Sequence, residues 1–192
     1  MKRVFLLLIA AFIALGAAAQ NSEIRVGYGV ASSNRLLNTE HGIFGVNWGQ
    51  QFADIKSVSS SSGAITFGYR YKISRIRFGL SGAYEKVNGT FTDAAGSSAV
   101  GHHTYWTIAA DLQFSYFKLP KGIVELYWGA SAGCGFVSQN IDVPNAGEQT
   151  RRRFAYQVVP VGVSVGIPWI GAYAELGFGY RGILNLGAYV RF

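Results

Sequence analysis

Arg25, Arg70, Lys72, Arg77, Glu85, Asp111, Glu125, Glu175 and Arg191 occupy alternate positions in stretches whose remaining alternate positions are apolar. That spacing places each of them on the polar face of a two-faced strand. Enclosed charges of both signs persist only when paired and hydrogen-bonded, so these nine residues are expected to form a lumenal charge network. Two further sets stand out by residue type. His102-His103 lies near Thr104, Tyr105 and Glu85, the types from which a nucleophilic site is built. Arg151-Arg152-Arg153 supplies three guanidinium forks that match the geometry of phosphate oxygens.

The elements that must position these residues are strands. Ile24, Val26, Tyr28 and Val30 alternate with Glu23, Arg25, Gly27 and Gly29, the period-2 pattern of a strand with unlike faces. Similar alternation recurs at about 65–72, 76–85, 106–116, 124–136, 159–167, 172–180 and 183–192. The spacing therefore predicts eight strands, most of them near the ~9 to 11 residues that cross a bilayer when tilted. Short links near Ser74, at 118–121 and at 168–170 alternate with long ones at 31–63, 87–102 and 138–152. Arg181-Gly182 is the tight link that departs from this alternation. Short turns on one side and long loops on the other characterise transmembrane barrels.

Composition agrees. Only 14% of the 192 residues are charged, against about 25% in an ordinary soluble domain. Hydrophobic residues reach 49%, there are 25 glycines, and the mean hydropathy is positive. So many large apolar groups exclude disorder. The net charge of +7 comes from scattered cations with no continuous basic stripe, so nucleic acid is not expected as a partner.

Met1, Lys2 and Arg3 precede an apolar run from Val4 to Leu15 and a small-residue site at Ala17-Ala18-Ala19. Residues 1–19 therefore read as a cleaved signal peptide, leaving 20–192 as one barrel domain. The lone Cys134 cannot form an internal disulfide. Beyond residue 20 no apolar run is long enough for a transmembrane helix.

The face opposite the apolar one is dominated by Gly, Ser, Ala and Thr with few charges, whereas a face turned to water would be charge-dense. The apolar face is thus expected to meet lipid, with Tyr69, Tyr71, Tyr84, Trp106, Tyr116, Trp169 and Tyr180 as interfacial girdles. The expected fold is all-β, an eight-stranded antiparallel up-and-down transmembrane β-barrel. Pro160 interrupts the sixth strand and calls for a bulge, which would turn Phe154, Tyr156 and Val158 outward. Ile43, Phe44, Val46, Trp48 and Phe52 make the stretch 41–52 unusually apolar, and a loop over the rim or on the membrane surface is expected there.

In architecture, residues 22–192 resemble the small OmpA/OmpX-type outer-membrane barrels. The sharpest local likeness is the final strand, Leu184-x-Leu186-x-Ala188-x-Val190-x-Phe192. In that family such an ending is the assembly signal read by the barrel-assembly machinery, and the resemblance implies the same use here. OmpA continues into a peptidoglycan-binding domain, and none follows Phe192, so anchoring by such a domain is not expected. The resemblance further implies a bacterial outer membrane location, with outer-membrane lipids and lipopolysaccharide as surroundings. Arg151, Arg152 and Arg153 are then candidates for lipopolysaccharide contact. A monomer is expected, with a structural or surface-interaction role through external loops.

Two rivals remain. Some small outer-membrane barrels are lipid A deacylases or acyltransferases with a rim histidine, a serine and an acid. In the deacylase arrangement a Ser stands two places after the His, and here that place holds Tyr105. No catalytic residue, metal ligand or cofactor is assigned. The other rival is a narrow porin, disfavoured because eight strands enclose little free lumen.

Overall fold

The computed structural model describes residues 21–36, 54–92, 98–119, 123–141 and 149–192. The signal-peptide reading of 1–19 and the apolar stretch 41–52 lie outside them.

The chain forms β1 (Ser22–Val30), the single-turn α1 (Ser33–Leu36), β2 (Asp54–Ser61), β3 (Ala64–Ile73), β4 (Ile76–Thr92), β5 (Ser98–Lys118), β6 (Val124–Ile141), β7 (Gln149–Gly166), β8 (Ile170–Gly179) and β9 (Leu184–Arg191). Each strand from β3 to β9 pairs antiparallel with the next, and β9 returns to β1, which pairs β3. β2 and β3 stand end to end against β4: Ser61 opposes Val87 and Ile65 opposes Tyr84. The chain kinks between them at Ser62-Gly63, with Gly63 at φ 71°. They fill one wall position, so the closed barrel has eight strands.

Closure joins the two ends of the described chain. Backbone bonds of 3.0 Å run both ways between Ser22 and Phe192, and β9 matches β1 residue for residue from Arg191↔Glu23 to Leu184↔Val30. In β9, Leu186, Ala188 and Val190 point outward, while Leu184 and Phe192 are half-buried.

Alternation sorts the two surfaces. Leu80 and Ile108 on the outer wall are 61% and 57% exposed, whereas Arg77, Gln113 and Glu125 inside are essentially closed off. An ordinary soluble barrel has the reverse polarity. Glycine makes the crowded interior possible. A Cβ on Gly162 would sit 2.2 Å from the Tyr127 ring, and one on Gly171 would sit 2.4 Å from the Tyr189 hydroxyl.

The strands run further than hydropathy implies. The links read as 31–63, 87–102 and 138–152 are shortened by β2 and by the outer parts of β4, β5, β6 and β7. The physical reason is that backbone pairing needs no apolar face, so the ladder continues where side-chain alternation has faded. β4 to β7 rise as a tall wall, while β8, β9 and β1 end low. At Pro160 the β7–β8 register breaks between Val158 and Val161, so Pro160 and Val161 both face outward. This bulge leaves Phe154 and Val158 outside and Ala155, Gln157 and Val159 inside; Tyr156 is half-buried.

Candidate functional site

Four carboxylates and five guanidinium groups meet in the lumen, each carried inward by strand alternation or a turn. Glu125 accepts two bonds from Arg77, at 2.6 and 2.8 Å, and lies 3.3 Å from Arg191; Ser115 also donates to it. Glu23 pairs with Arg25, with Arg191 at 2.7 Å and with Arg77 at 3.5 Å. Glu175 meets Arg25 and Arg181 at 3.2 Å each and Arg70 at 3.6 Å, and it accepts from the Tyr127 hydroxyl at 3.0 Å and Asn185 at 3.1 Å. Asp111 pairs with Arg70 and with Arg181 at 2.7 Å, and Ser131 donates to it.

Every carboxylate therefore has at least two cationic partners. Multiple partners are what buried charge requires, because desolvation outweighs the gain from one ill-fitted pair. Arg25 is also packed among aromatic faces, with its guanidinium carbon 4.7 Å from the Tyr173 ring centre and 5.2 Å from that of Tyr127. These partnerships tie β1, β3, β4, β5, β6, β8 and β9 together across the lumen.

Arg181 enters by an unusual route. The β8–β9 turn, Tyr180-Arg181-Gly182, is buried and folds into the barrel instead of away from it. Gln157 clasps it, accepting from the Arg181 amide at 2.8 Å and donating to the Gly182 carbonyl at 3.2 Å. The Tyr180 hydroxyl is 2.7 Å from Ser81 Oγ. Gly182, at φ 98°, and Gly29, against the Arg181 carbonyl, leave the space and the backbone freedom that this turn needs.

A second cluster lies nearer the long-loop end. Glu85 is buried and accepts from Ser32 at 2.5 Å, Asn34 at 2.9 Å and Ser61 at 2.8 Å. These bonds draw the segment after β1 across the barrel mouth. Beside it, His103 Nδ1 is 3.1 Å from the Tyr105 hydroxyl, and the Arg153 guanidinium stacks 4.7 Å from the Tyr105 ring centre. Among the described residues no group of three His, Cys, Asp or Glu side chains is placed to hold a metal ion.

Of the nine charged residues on polar strand faces, Arg25, Arg70, Arg77, Asp111, Glu125, Glu175 and Arg191 come together. Two do not join them. Glu85 belongs to the hydroxyl cluster, because its place in β4 is too far toward the long-loop end. Lys72, half-buried at the short-turn mouth, makes no ion pair within 4 Å among the described residues. Arg151, Arg152 and Arg153 lie within β7 and do not close a loop. Adjacent strand residues point to opposite faces. Arg152 is exposed outside against Phe136, while Arg153 stacks on the inward-facing Tyr105. Arg152 and Arg153 therefore lie on opposite faces of the wall.

Sequence reasoning missed Glu23 and Arg181 as members of the network. Glu23 was within reach, because it stands two places before Arg25 on the same face. Arg181 gives no such signal, since a turn has no periodicity.

Two structures of Ail, the attachment invasion locus protein of Yersinia pestis, are similar to this chain. One is 15% identical with a TM-score of 0.40. The other, in complex with the heparin analogue sucrose octasulfate, is 16% identical with a TM-score of 0.41. Each match covers 88% of this chain and 93% of the Ail chain. No family model matches the sequence, and no curated protein does.

Proposed function

We propose that this chain is an integral bacterial outer-membrane protein of the small OmpA/OmpX type, closed to solutes and acting through its outer end. The observation that carries this reading is the reversed polarity of the barrel: large apolar side chains cover the outer wall while the interior holds ion-paired charge. Such a wall is stable only against lipid. In this reading residues 1–19 direct export and are removed. The barrel-assembly machinery reads Leu184, Leu186, Ala188, Val190 and Phe192, and the protein inserts as a monomer among outer-membrane lipids. The long-loop end faces outward, where the exposed Arg152 of the arginine run can meet lipopolysaccharide phosphates. The tall wall of β4 to β7 and the external loops are the surface for a structural or binding role.

Planar-bilayer recording of the purified protein tests closure. Brief or absent conductance is expected; a steady open level would make it a narrow porin. Mass spectra of lipid A from cells with and without the gene are expected to be identical, and a change in acylation would place a lipid-modifying activity at the rim.

A further inference from the structure

Among the described residues the lumenal network holds one positive charge in excess. Glu175 and Asp111 are matched by Arg70 and Arg181, whereas Glu23 and Glu125, nearer the short turns, face Arg25, Arg77 and Arg191. In that half Arg25 has donor capacity to spare. Its Nε pairs with Glu23, and its Nη1 donates to the Tyr127 hydroxyl at 3.0 Å and to Glu175 at 3.2 Å. Its Nη2 has no hydrogen-bond partner among the described residues. A guanidinium nitrogen can only donate, and leaving it buried without an acceptor is costly.

Two hydroxyls in the same state converge on this region, Ser164 Oγ and the Tyr189 hydroxyl, each on a residue 1% exposed. Tyr189 is the β9 partner of Arg25, whose guanidinium carbon is 5.9 Å from the Tyr189 ring centre. The ring extends over Gly171 of β8 toward β7, where a Cβ on Gly166 would sit 3.0 Å from the hydroxyl. Ser164 stands two places before Gly166 on the same inner face and opposite Tyr173, whose ring centre is 4.7 Å from the Arg25 guanidinium carbon. Successive inward positions on a strand lie about 6 to 7 Å apart. One ion spans that distance when it accepts two hydrogen bonds of about 3 Å each.

We propose that Arg25 Nη2, Ser164 Oγ and the Tyr189 hydroxyl form a binding site for a small monovalent inorganic anion of chloride size inside the lumen. A water molecule would satisfy these donors and leave the excess charge uncompensated. An anion does both, and buried charge persists only when paired. Two other unpaired donors of the network, Gln113 Nε2 and Arg181 Nε, lie with Arg70, Asp111 and Glu175, where the charges already balance. The site depends on the closed lumen alone and not on the membrane in which the barrel resides.

Refolding from urea into detergent, in sodium chloride or in sodium gluconate at equal ionic strength, tests the site, with thermal unfolding read from gel mobility. Gluconate screens surface charge equally but is too large for a space walled by Gly166 and Gly171. Chloride is expected to raise the midpoint by about 3 °C or more, with saturation as its concentration increases. The Ser164→Ala/Tyr189→Phe double variant is expected to lose most of that rise; should it not fold, Ser164→Ala alone decides. Crystals of the unaltered protein grown in sodium bromide are expected to show an anomalous peak within hydrogen-bond reach of Arg25 Nη2. Equal midpoints in the two salts, a rise undiminished in the folded variant, or a water without anomalous signal beside Arg25 in the bromide crystals overturns the proposal.

Discussion

Arg181 and Asp111 stand 70 residues apart in the chain, yet the Arg181 Nη2 donates to Asp111 Oδ1 at 2.7 Å in the barrel interior. One partner sits in an inward-folded turn and the other in the middle of β5. Their meeting makes the β8–β9 connection part of the charge network.

Removing one side of this pair leaves a buried charge short of partners. Arg181→Met is expected to destabilise the folded barrel by about 3 to 5 kcal/mol, read as a lower urea midpoint in lipid vesicles. Arg181→Met combined with Asp111→Asn is expected to cost less than the sum of the two single changes. Strict additivity would show that the two groups do not interact.

Gly29 is the floor on which that turn rests. A Cβ there would lie 1.7 Å from the Arg181 carbonyl oxygen, a collision with backbone that no rotamer relieves. Gly29→Ala is expected to expel the turn and lower stability by at least as much as Arg181→Met. A Gly29→Ala barrel that unfolds at the wild-type urea midpoint would contradict the inward placement.

The outer wall offers a test of its surroundings. Leu80, 61% exposed, lies on the apolar outer wall. Leu80→Arg is expected to cost about 2 to 4 kcal/mol in vesicles if it lies near the bilayer midplane. In a water-facing barrel the same change would be close to neutral, so a vesicle unfolding curve unchanged by it would argue against a lipid-facing wall.

Proline tolerance maps the bulge. Pro160 lies where the β7–β8 pairing is interrupted, and Pro160→Ala is expected to change stability by less than about 1 kcal/mol. Val163, paired to Leu126 on one side and Ala174 on the other, sits in regular ladder. Val163→Pro is expected to cost about 3 kcal/mol or more. Equal costs at the two positions would place the irregularity elsewhere.

Side-chain alternation is local information, and it made the eight wall positions, most of their inner and outer faces and the Pro160 bulge legible in the sequence; Tyr180, expected at the lipid interface, is instead carried inside by the inward-folded turn. Facing follows from the pleat alone: once Ile24, Val26 and Tyr28 are known to face one way, Glu23 and Arg25 must face the other. The strand ends beyond the apolar band were not legible, because backbone pairing there continues without a hydropathy difference to mark it. Nor could spacing reveal which carboxylate meets which guanidinium. Glu175 reaches Arg25, Arg70 and Arg181 only because closure of β9 on β1 and the stagger of neighbouring strands set their heights around one lumen. Arg181 was the least visible of all. Its place depends on glycine space in β1, a glutamine in β7 and carboxylates on β5 and β8, and these meet only when the barrel is closed.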